Sequence, residues 1–225
     1  MDFAIRFFDI LFSLIALIVL TPLFIPIIII LRFTGEGEIF YFQDRIGKNE
    51  KVFQLIKFAT MLKDSAKLGT GEVTLANDIR VLPFGSFLRK TKINELPQLI
   101  NILKGDISVI GPRPQTSKYY YAYLEKDREF ISKVKPGLSG IGSVIFRDEE
   151  VILSKVNDPV SFDLNVITPY KGKLESWYVR NRSIFLYFKL IFLTIIVVLF
   201  SDINKYNNWF EDLPKPPKEL EGLLR

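Results

Sequence analysis

The chain has 225 residues, enough for one domain with a buried core. It contains no Cys and no His. This excludes disulfides, thiolate zinc sites and His-based triads or metal sites, leaving Asp, Glu, Lys and Tyr for acid–base work and a hard cation on oxygen ligands as any metal. Thirty Lys and Arg against 25 Asp and Glu give a net charge of +5, which suits a partner bearing phosphates. The basic residues are scattered among acids rather than gathered on one stripe, so nucleic acid is not the expected partner. Mean hydropathy is +0.21, high for a wholly soluble chain, and the apolar excess is local.

Residues 10–31 carry no charge. At about 1.5 Å per residue a helix of this length reaches across a hydrocarbon core near 30 Å thick. No small-residue cleavage site follows it, so it is not read as a cleaved signal. Thr21 and Pro22, with Pro26 beyond them, mark a break, because each proline removes a backbone donor. Two readings stay open: a spanning helix with a tolerated kink, or a bent helix that enters and leaves on one face. In the second, Arg6 and Arg32 both meet headgroups.

Residues 35–37 are a turn. Residues 39–43 and 51–57, rich in Phe, Tyr, Ile and Val, read as two strands around a polar loop at 44–49. Lys57 ends the second strand and is either a solvated strand-end Lys or a charge pointing into a site. Residues 64–78 show little periodicity and read as a mobile loop and candidate lid. Asn77 or Asp78 is placed to cap a helix from Ile79, which Pro83-Phe84-Gly85 then breaks, and Ser86 to cap the helix that follows.

Residues 90–114, KTKINELPQLINILKGDISVIGPRP, are the densest stretch. Cations at Arg89, Lys90 and Lys92 precede the polar pair Asn94-Glu95. An apolar segment at 99–103 follows, then a turn at Lys104-Gly105-Asp106. Pro112 and Pro114 fix φ on both sides of Arg113. A guanidinium held on so stiff a backbone suits a phosphate, which it can grip with two parallel hydrogen bonds. The plainer alternative is a surface turn with an incidental charge.

Residues 116–134 are helical in pattern, with Tyr120, Tyr123 and Leu124 on one face. Residues 135–140 read as a turn-rich linker and 141–147 as a strand ending on Arg147. That Arg is either a second phosphate contact or the partner of Asp148 or Glu149. Residues 170–181 read as a helix. Ser183 is placed to cap an apolar helix at 184–200 interrupted by Lys189. That helix is short for a span and reads either as interfacial, with Lys189 at headgroups, or as a core helix. From 204 the chain reads as an extended tail with Trp209, Phe210 and a Pro-rich run.

Several of these stretches together resemble the short form of the bacterial sugar transferases, the monotopic phosphoglycosyl transferases. The family pattern reads Asp-Glu-Leu-Pro-Gln-Leu, then Asn-x-Leu-Lys-Gly-Asp-x-Ser-x-x-Gly-Pro-Arg-Pro. Here it is Asn94-Glu95-Leu96-Pro97-Gln98-Leu99, then 101–114. Similar elements stand at 43–47, at Lys57-Phe58-Ala59-Thr60-Met61, at 135–140 before Arg147, and at 174–181, where Glu175 replaces an Asp. The resemblance favours the re-entrant helix, broken at Thr21-Pro22.

The resemblance implies a helix-rich α+β monotopic membrane protein with interfacial helices. Residues 1–34 would be the re-entrant membrane helix. Residues 35–203 would be the catalytic domain, with an interfacial helix at 184–200, and residues 204–225 the tail. The implied reaction moves a phospho-sugar from a UDP-sugar to undecaprenyl phosphate and releases UMP, at the cytoplasmic face of a bacterial inner membrane. Mg²⁺ is the implied cofactor, and downstream glycosyltransferases are further partners. Lys57, Arg89, Arg113 and Arg147 would hold phosphates, with Pro112, Pro114 and Glu175 in support and Asn94 and Glu95 as metal ligands. In the family the Asp of the Asp-Glu pair attacks the β-phosphate. Asn94 stands in its place, and a neutral amide is a poor nucleophile and a weaker Mg²⁺ ligand. Three readings follow: an active variant in which Glu95 attacks or serves as base, an inactive binder of nucleotide-sugar or a partner enzyme, or an altered mechanism with Asn94 as a positioner.

Overall fold

The structure is a computed structural model, which describes residues 1–71, 73–75, 77–200, 209–210 and 212–224. Helix α1 (Asp2–Phe33) runs as one continuous element through Pro22 and Pro26. Thr21 Oγ1 donates to the carbonyl of Leu17, one turn back, at 2.7 Å. One face of α1 lies on the domain along its whole length. Ile5, Asp9, Ser13, Ile27 and Leu31 are buried, with Phe12, Leu17, Leu20 and Phe24 partly buried between them. The opposite face, including Phe7, Leu14, Ile18, Val19 and Ile29, is apolar and exposed. A one-sided stripe at helical spacing packs against a partner and leaves the other side to an apolar solvent.

The two ends of α1 are anchored differently. Arg6, expected at headgroups, instead donates to the carbonyls of Ile102 at 2.5 Å and Leu103 at 2.9 Å. These are end carbonyls of α3 (Gln98–Lys104), where the helix dipole favours a cation. Asp9 Oδ1 accepts from Ser108 Oγ, Val109 N and Tyr187 Oη, each at 2.9 Å. At the other end Ile27 and Leu31 cluster with Phe58 and Leu88. Arg32 stays exposed and donates to the Gly37 carbonyl at 3.2 Å.

Strands β1 (Phe40–Ile46) and β2 (Val52–Phe58) form an antiparallel hairpin in the register Phe40↔Phe58 to Ile46↔Val52. The first strand is longer than expected, because Asp44, Arg45 and Ile46 pair with β2 rather than joining the loop. The described residues of the stretch 64–78 gather around buried Arg80. Its guanidinium donates to Asp78 and to the carbonyls of Ser65, Leu68, Gly71 and Val73 at 2.5–2.8 Å. Asp78 therefore serves Arg80 rather than capping a helix. Helix α2 (Pro83–Lys90) starts at Pro83, which takes the first helical position, where its missing N–H costs nothing. The expected helix start at Ile79, the break at Pro83 and the cap at Ser86 are thus corrected.

A two-stranded parallel sheet, β3 (Ser108–Ile110) and β4 (Gly137–Ser139), carries the centre. Strand β4 falls in the stretch expected to be a linker. Backbones touch there: a Cβ on Gly137 would lie 2.1 Å from Gly111 N. Residues 116–134 form two short helices, α4 (Ser117–Tyr120) and α5 (Glu125–Ile131). Tyr120 and Tyr123 turn into a cluster with Ile46 and Ile131, and Leu124 stays exposed. The expected strand at 141–147 is instead helix α6 (Ile141–Ile145). Ile141 and Val144 are buried there, so packing overrides the β preference of this Ile/Val run.

Short helices α7 (Glu149–Leu153) and α8 (Pro159–Phe162) and a π-helical turn (Asp163–Ile167) lead into α9 (Thr168–Arg180). Ser183 caps α10 (Ile184–Leu199) as expected, its side chain accepting from Leu186 N. Leu186, Tyr187, Leu190, Leu193 and Val197 face the core, and Phe185, Phe192, Ile195 and Leu199 are exposed. Lys189 points not to headgroups but to the tail, donating to the Trp209 carbonyl and lying 4.7 Å over the Phe210 ring. Far from being an appendage, residues 209–210 and 212–224 pack on the domain. Phe210 meets Trp177 edge-on at 5.6 Å, Tyr170 Oη donates to the Pro214 carbonyl at 2.8 Å, and Leu220 is wholly buried. Residues 204–208 of the expected tail lie outside the described residues.

Candidate active site

Between α2 and α3 the chain reverses at Lys92, whose φ of 59° opens a tight turn over Ile93–Glu95. Pro97 then starts α3. This connection presents Asn94 and Glu95 to a cleft of about 1010 Å³. Asn94 is only 6% exposed, and its Oδ1 has no hydrogen-bond partner among the described residues. Glu95 Oε1 accepts from Arg113 Nη2 at 3.2 Å. Burial opposes the charge on Glu95, but Arg113, Lys57 and Lys92 outweigh it and hold the carboxyl at about 2. Lys57 enters from the last turn of pleat in β2. Burial, and after it the Arg45 charge, push its ammonium down to about 7, although Glu95 pulls the other way.

The Arg113 loop is rigid, as its prolines imply. Gly111 N donates to Ser139 O at 2.9 Å, Gly137 N to Pro112 O at 2.8 Å, and Arg45 Nη1 to Pro114 O at 2.9 Å. Arg113 N itself donates to Glu175 Oε1 at 3.2 Å. Glu175 is 1% exposed, and its Oε2 has no partner among the described residues. Burial raises its carboxyl to about 7, against the lowering effect of the Arg113 and Gly142 N–H groups. Gly142 leaves room for this carboxylate: a Cβ there would lie 2.4 Å from Glu175 Oε1 and force the side chain to shift.

Lys57, Arg89, Asn94, Glu95, Arg113 and Arg147 all line the one cleft, so the structure brings together every expected catalytic and phosphate-binding residue. Two of the cations are not equivalent to the rest. Arg89 is committed to Glu150 Oε1 at 2.5 Å. Arg147 pairs with neither Asp148 nor Glu149; its Nη2 reaches the Val198 carbonyl at 3.4 Å and its Nη1 has no partner among the described residues. Thr21 and Pro22 do not line the cleft, but Leu20 and Leu23 beside them do, as do Ile191, Ile195 and Val198 of α10. Sequence reasoning missed Arg45 and Lys171. Lys171 carried a weak signal: it falls on the side of α9 that also holds the buried Tyr170, Leu174, Glu175 and Tyr178.

As for a metal, no group of three acidic side chains is gathered among the described residues. Glu95 and the unpartnered Oδ1 of Asn94 are the oxygens on offer. They fit a Mg²⁺ held mainly by substrate phosphates, which needs only one or two protein oxygens.

Residues 1–201 match the family model described as bacterial sugar transferase. The chain belongs to the bacterial sugar transferase family. It is 33% identical over 210 residues to the exopolysaccharide production protein ExoY of Sinorhizobium fredii, covering 87% of this chain and 85% of that protein. It is 32% identical to the undecaprenyl-phosphate galactose phosphotransferase of Salmonella typhimurium, over 88% of this chain and 40% of that protein. The figure is 33% for a UDP-glucose:undecaprenyl-phosphate glucose-1-phosphate transferase of Klebsiella pneumoniae, over 84% of this chain and 39% of that protein. This sugar transferase thus spans most of ExoY and about two fifths of the larger relatives. Its packed tail at 209–210 and 212–224 lies beyond the family match.

Proposed function

We propose that this sugar transferase moves a phospho-sugar from a UDP-sugar to undecaprenyl phosphate, releasing UMP, at the cytoplasmic face of a bacterial inner membrane. The observation that carries the reading is the make-up of this cleft. Its lining includes the charged Lys57, Glu95, Arg113 and Arg147 and the apolar Leu20, Leu23, Ile191, Ile195 and Val198. A phosphate on an isoprenoid chain needs both surfaces at once. The exposed apolar faces of α1 and α10 keep the cleft against the bilayer, where the lipid acceptor is confined. On this reading α1 dips into the inner leaflet and returns, with the missing donors of Pro22 and Pro26 softening it at mid-length. The lipid-linked product is the acceptor for downstream glycosyltransferases.

Chemically, the bond between the donor's two phosphates breaks and UMP departs. Glu95 is ionised at every physiological pH, which makes it a weak base and an available nucleophile. It attacks the β-phosphorus and holds the phospho-sugar as an acyl phosphate. The lipid phosphate then attacks the same phosphorus and frees the carboxylate. Arg113 and Lys57 neutralise the charge that gathers on the phosphoryl oxygens, while Arg147, whose Nη1 has no partner among the described residues, takes a second phosphate. Glu95 and Asn94 Oδ1 would hold Mg²⁺, which supplies further charge neutralisation. The non-catalytic alternative has no support beyond Asn94 itself. The test is UMP release from UDP-sugar without lipid acceptor. A burst of one UMP per chain is expected, absent in Glu95→Gln. A native chain that turns over with acceptor but gives no burst would overturn the covalent role of Glu95.

A further inference from the structure

One part of the cleft lining is left over once phosphates and lipid are placed. Glu149, Asp163, Thr168 and Lys171 line the cleft on the side of α7, the π-helical turn and α9. Asp163, Thr168 and Lys171 are each less than 10% exposed. They are linked to each other: Lys171 Nζ lies 2.5 Å from Glu149 Oε1, and Thr168 Oγ1 donates to Asp163 Oδ1 at 3.3 Å. The Tyr119 hydroxyl lies near enough to Asp163 to favour its charged form. Ser143, in the same lining, has a buried Oγ without a partner among the described residues. Glu149 is near enough to Arg113 to add, after Glu95, to the field that keeps that guanidinium charged. The cluster therefore sits beside the phosphate-binding cations.

Its chemistry differs from theirs. Two carboxylates against one ammonium would repel a phosphate, yet they offer acceptors and donors side by side. That mixture matches a neutral ring bearing several hydroxyls, each of which both donates and accepts. The backbone points the same way. Asp163 opens a π-helical turn, a wide turn that is rare and concentrates at functional sites. The tail beyond the family match backs this turn, with residues Lys218–Leu220 packed on it. A support outside the part matched by the family model suits a function that varies between members.

We propose that Glu149, Asp163, Thr168 and Lys171 form the pocket for the sugar ring of the donor and set which sugar is accepted. This rests on the reading of the cleft as a UDP-sugar site. The experiment uses the full chain in detergent, with UDP and with UDP-glucose, UDP-galactose and their N-acetylamino forms as probes. Affinity is measured by titration and kcat/KM by UMP release. In Asp163→Asn, Glu149→Gln and the isosteric Thr168→Val, the preferred UDP-sugar should lose about ten- to a hundredfold while the Kd for UDP stays within about twofold. The ranking among sugars should change with it. An equal loss for UDP and all UDP-sugars would overturn the proposal, assigning the cluster to the nucleotide or to folding; so would no change in any variant. If the native chain releases no UMP, the transferase reading fails. The pocket still stands if UDP-sugar binds more tightly than UDP and Asp163→Asn removes the difference, and it falls if the two bind alike.

Discussion

Asn94 and Glu95 are neighbours in the chain, yet their oxygens live in opposite surroundings. Asn94 Oδ1 meets no donor, whereas Glu95 is ringed by Arg113, Lys57 and Lys92. Lys57 carries the pH dependence of this group. Its ammonium is held at about 7 by burial and by Arg45, so in the empty cleft it loses its proton as pH rises through 7. An anionic donor raises that value, so binding takes up a proton above pH 7, and affinity falls as pH rises from there. Calorimetry at pH 8 in two buffers of different ionisation enthalpy should show uptake, abolished in Lys57→Met. Glu175 works in the other sense. Its folded value of about 7 exceeds the ordinary 4.5, so its contribution to stability is full below 4.5 and is lost as pH rises through 7. Glu175→Gln keeps an acceptor for Arg113 N and Gly142 N. Its Tm relative to the native chain should therefore climb between pH 5 and pH 8, by the equivalent of about 3 kcal/mol at most. A flat difference would contradict the buried, proton-holding carboxyl. The residues of 94–114 were legible in sequence because polar, Pro and Gly positions lie close together there. The commitment of Arg89 to Glu150, 61 positions away, was not.

Elements whose character is local were readable, and those decided by distant partners were not. The hairpin, α9, α10 and its Ser183 cap follow from pattern and capping chemistry. Helix α6 and strand β4 do not, because the close approach of Gly111, Gly137 and Gly140 sets them. The loop at 64–78 has no periodicity, yet one guanidinium gathers its carbonyls. Asp9 is the strongest case. Nothing in the sequence singles it out, yet it joins α1 to β3 and α10 through three hydrogen bonds. Asp9→Ala leaves the Ser108 hydroxyl, the Val109 N–H and the Tyr187 hydroxyl without that acceptor. It should cost about 3 kcal/mol or more, read as a shift in urea unfolding in detergent. Asp9→Asn keeps an acceptor oxygen and should cost about 1 kcal/mol. Equal small effects from both would show that this junction does not hold α1 in place.

At the scale of the molecule, the sequence announced an apolar N-terminal segment and a basic domain but not how they meet. Both ends of α1 are fastened to the same domain, and α10 adds a second exposed apolar face beside it. The exposed apolar sides of these two helices, which also wall the cleft, are the surfaces that the proposed function sets against the membrane. Ile18→Lys with Val19→Lys, on the exposed face, should release the chain from liposomes in flotation without lowering its affinity for UDP. The most direct test of the central claim is UMP release by the purified full chain with undecaprenyl phosphate, Mg²⁺ and a panel of UDP-sugars, with Asn94→Asp beside it. The native chain should turn over with at least one donor, showing that a carboxylate at position 94 is dispensable. Silence from the native chain with turnover in Asn94→Asp would contradict the role given to Glu95 and place the lost nucleophile at position 94.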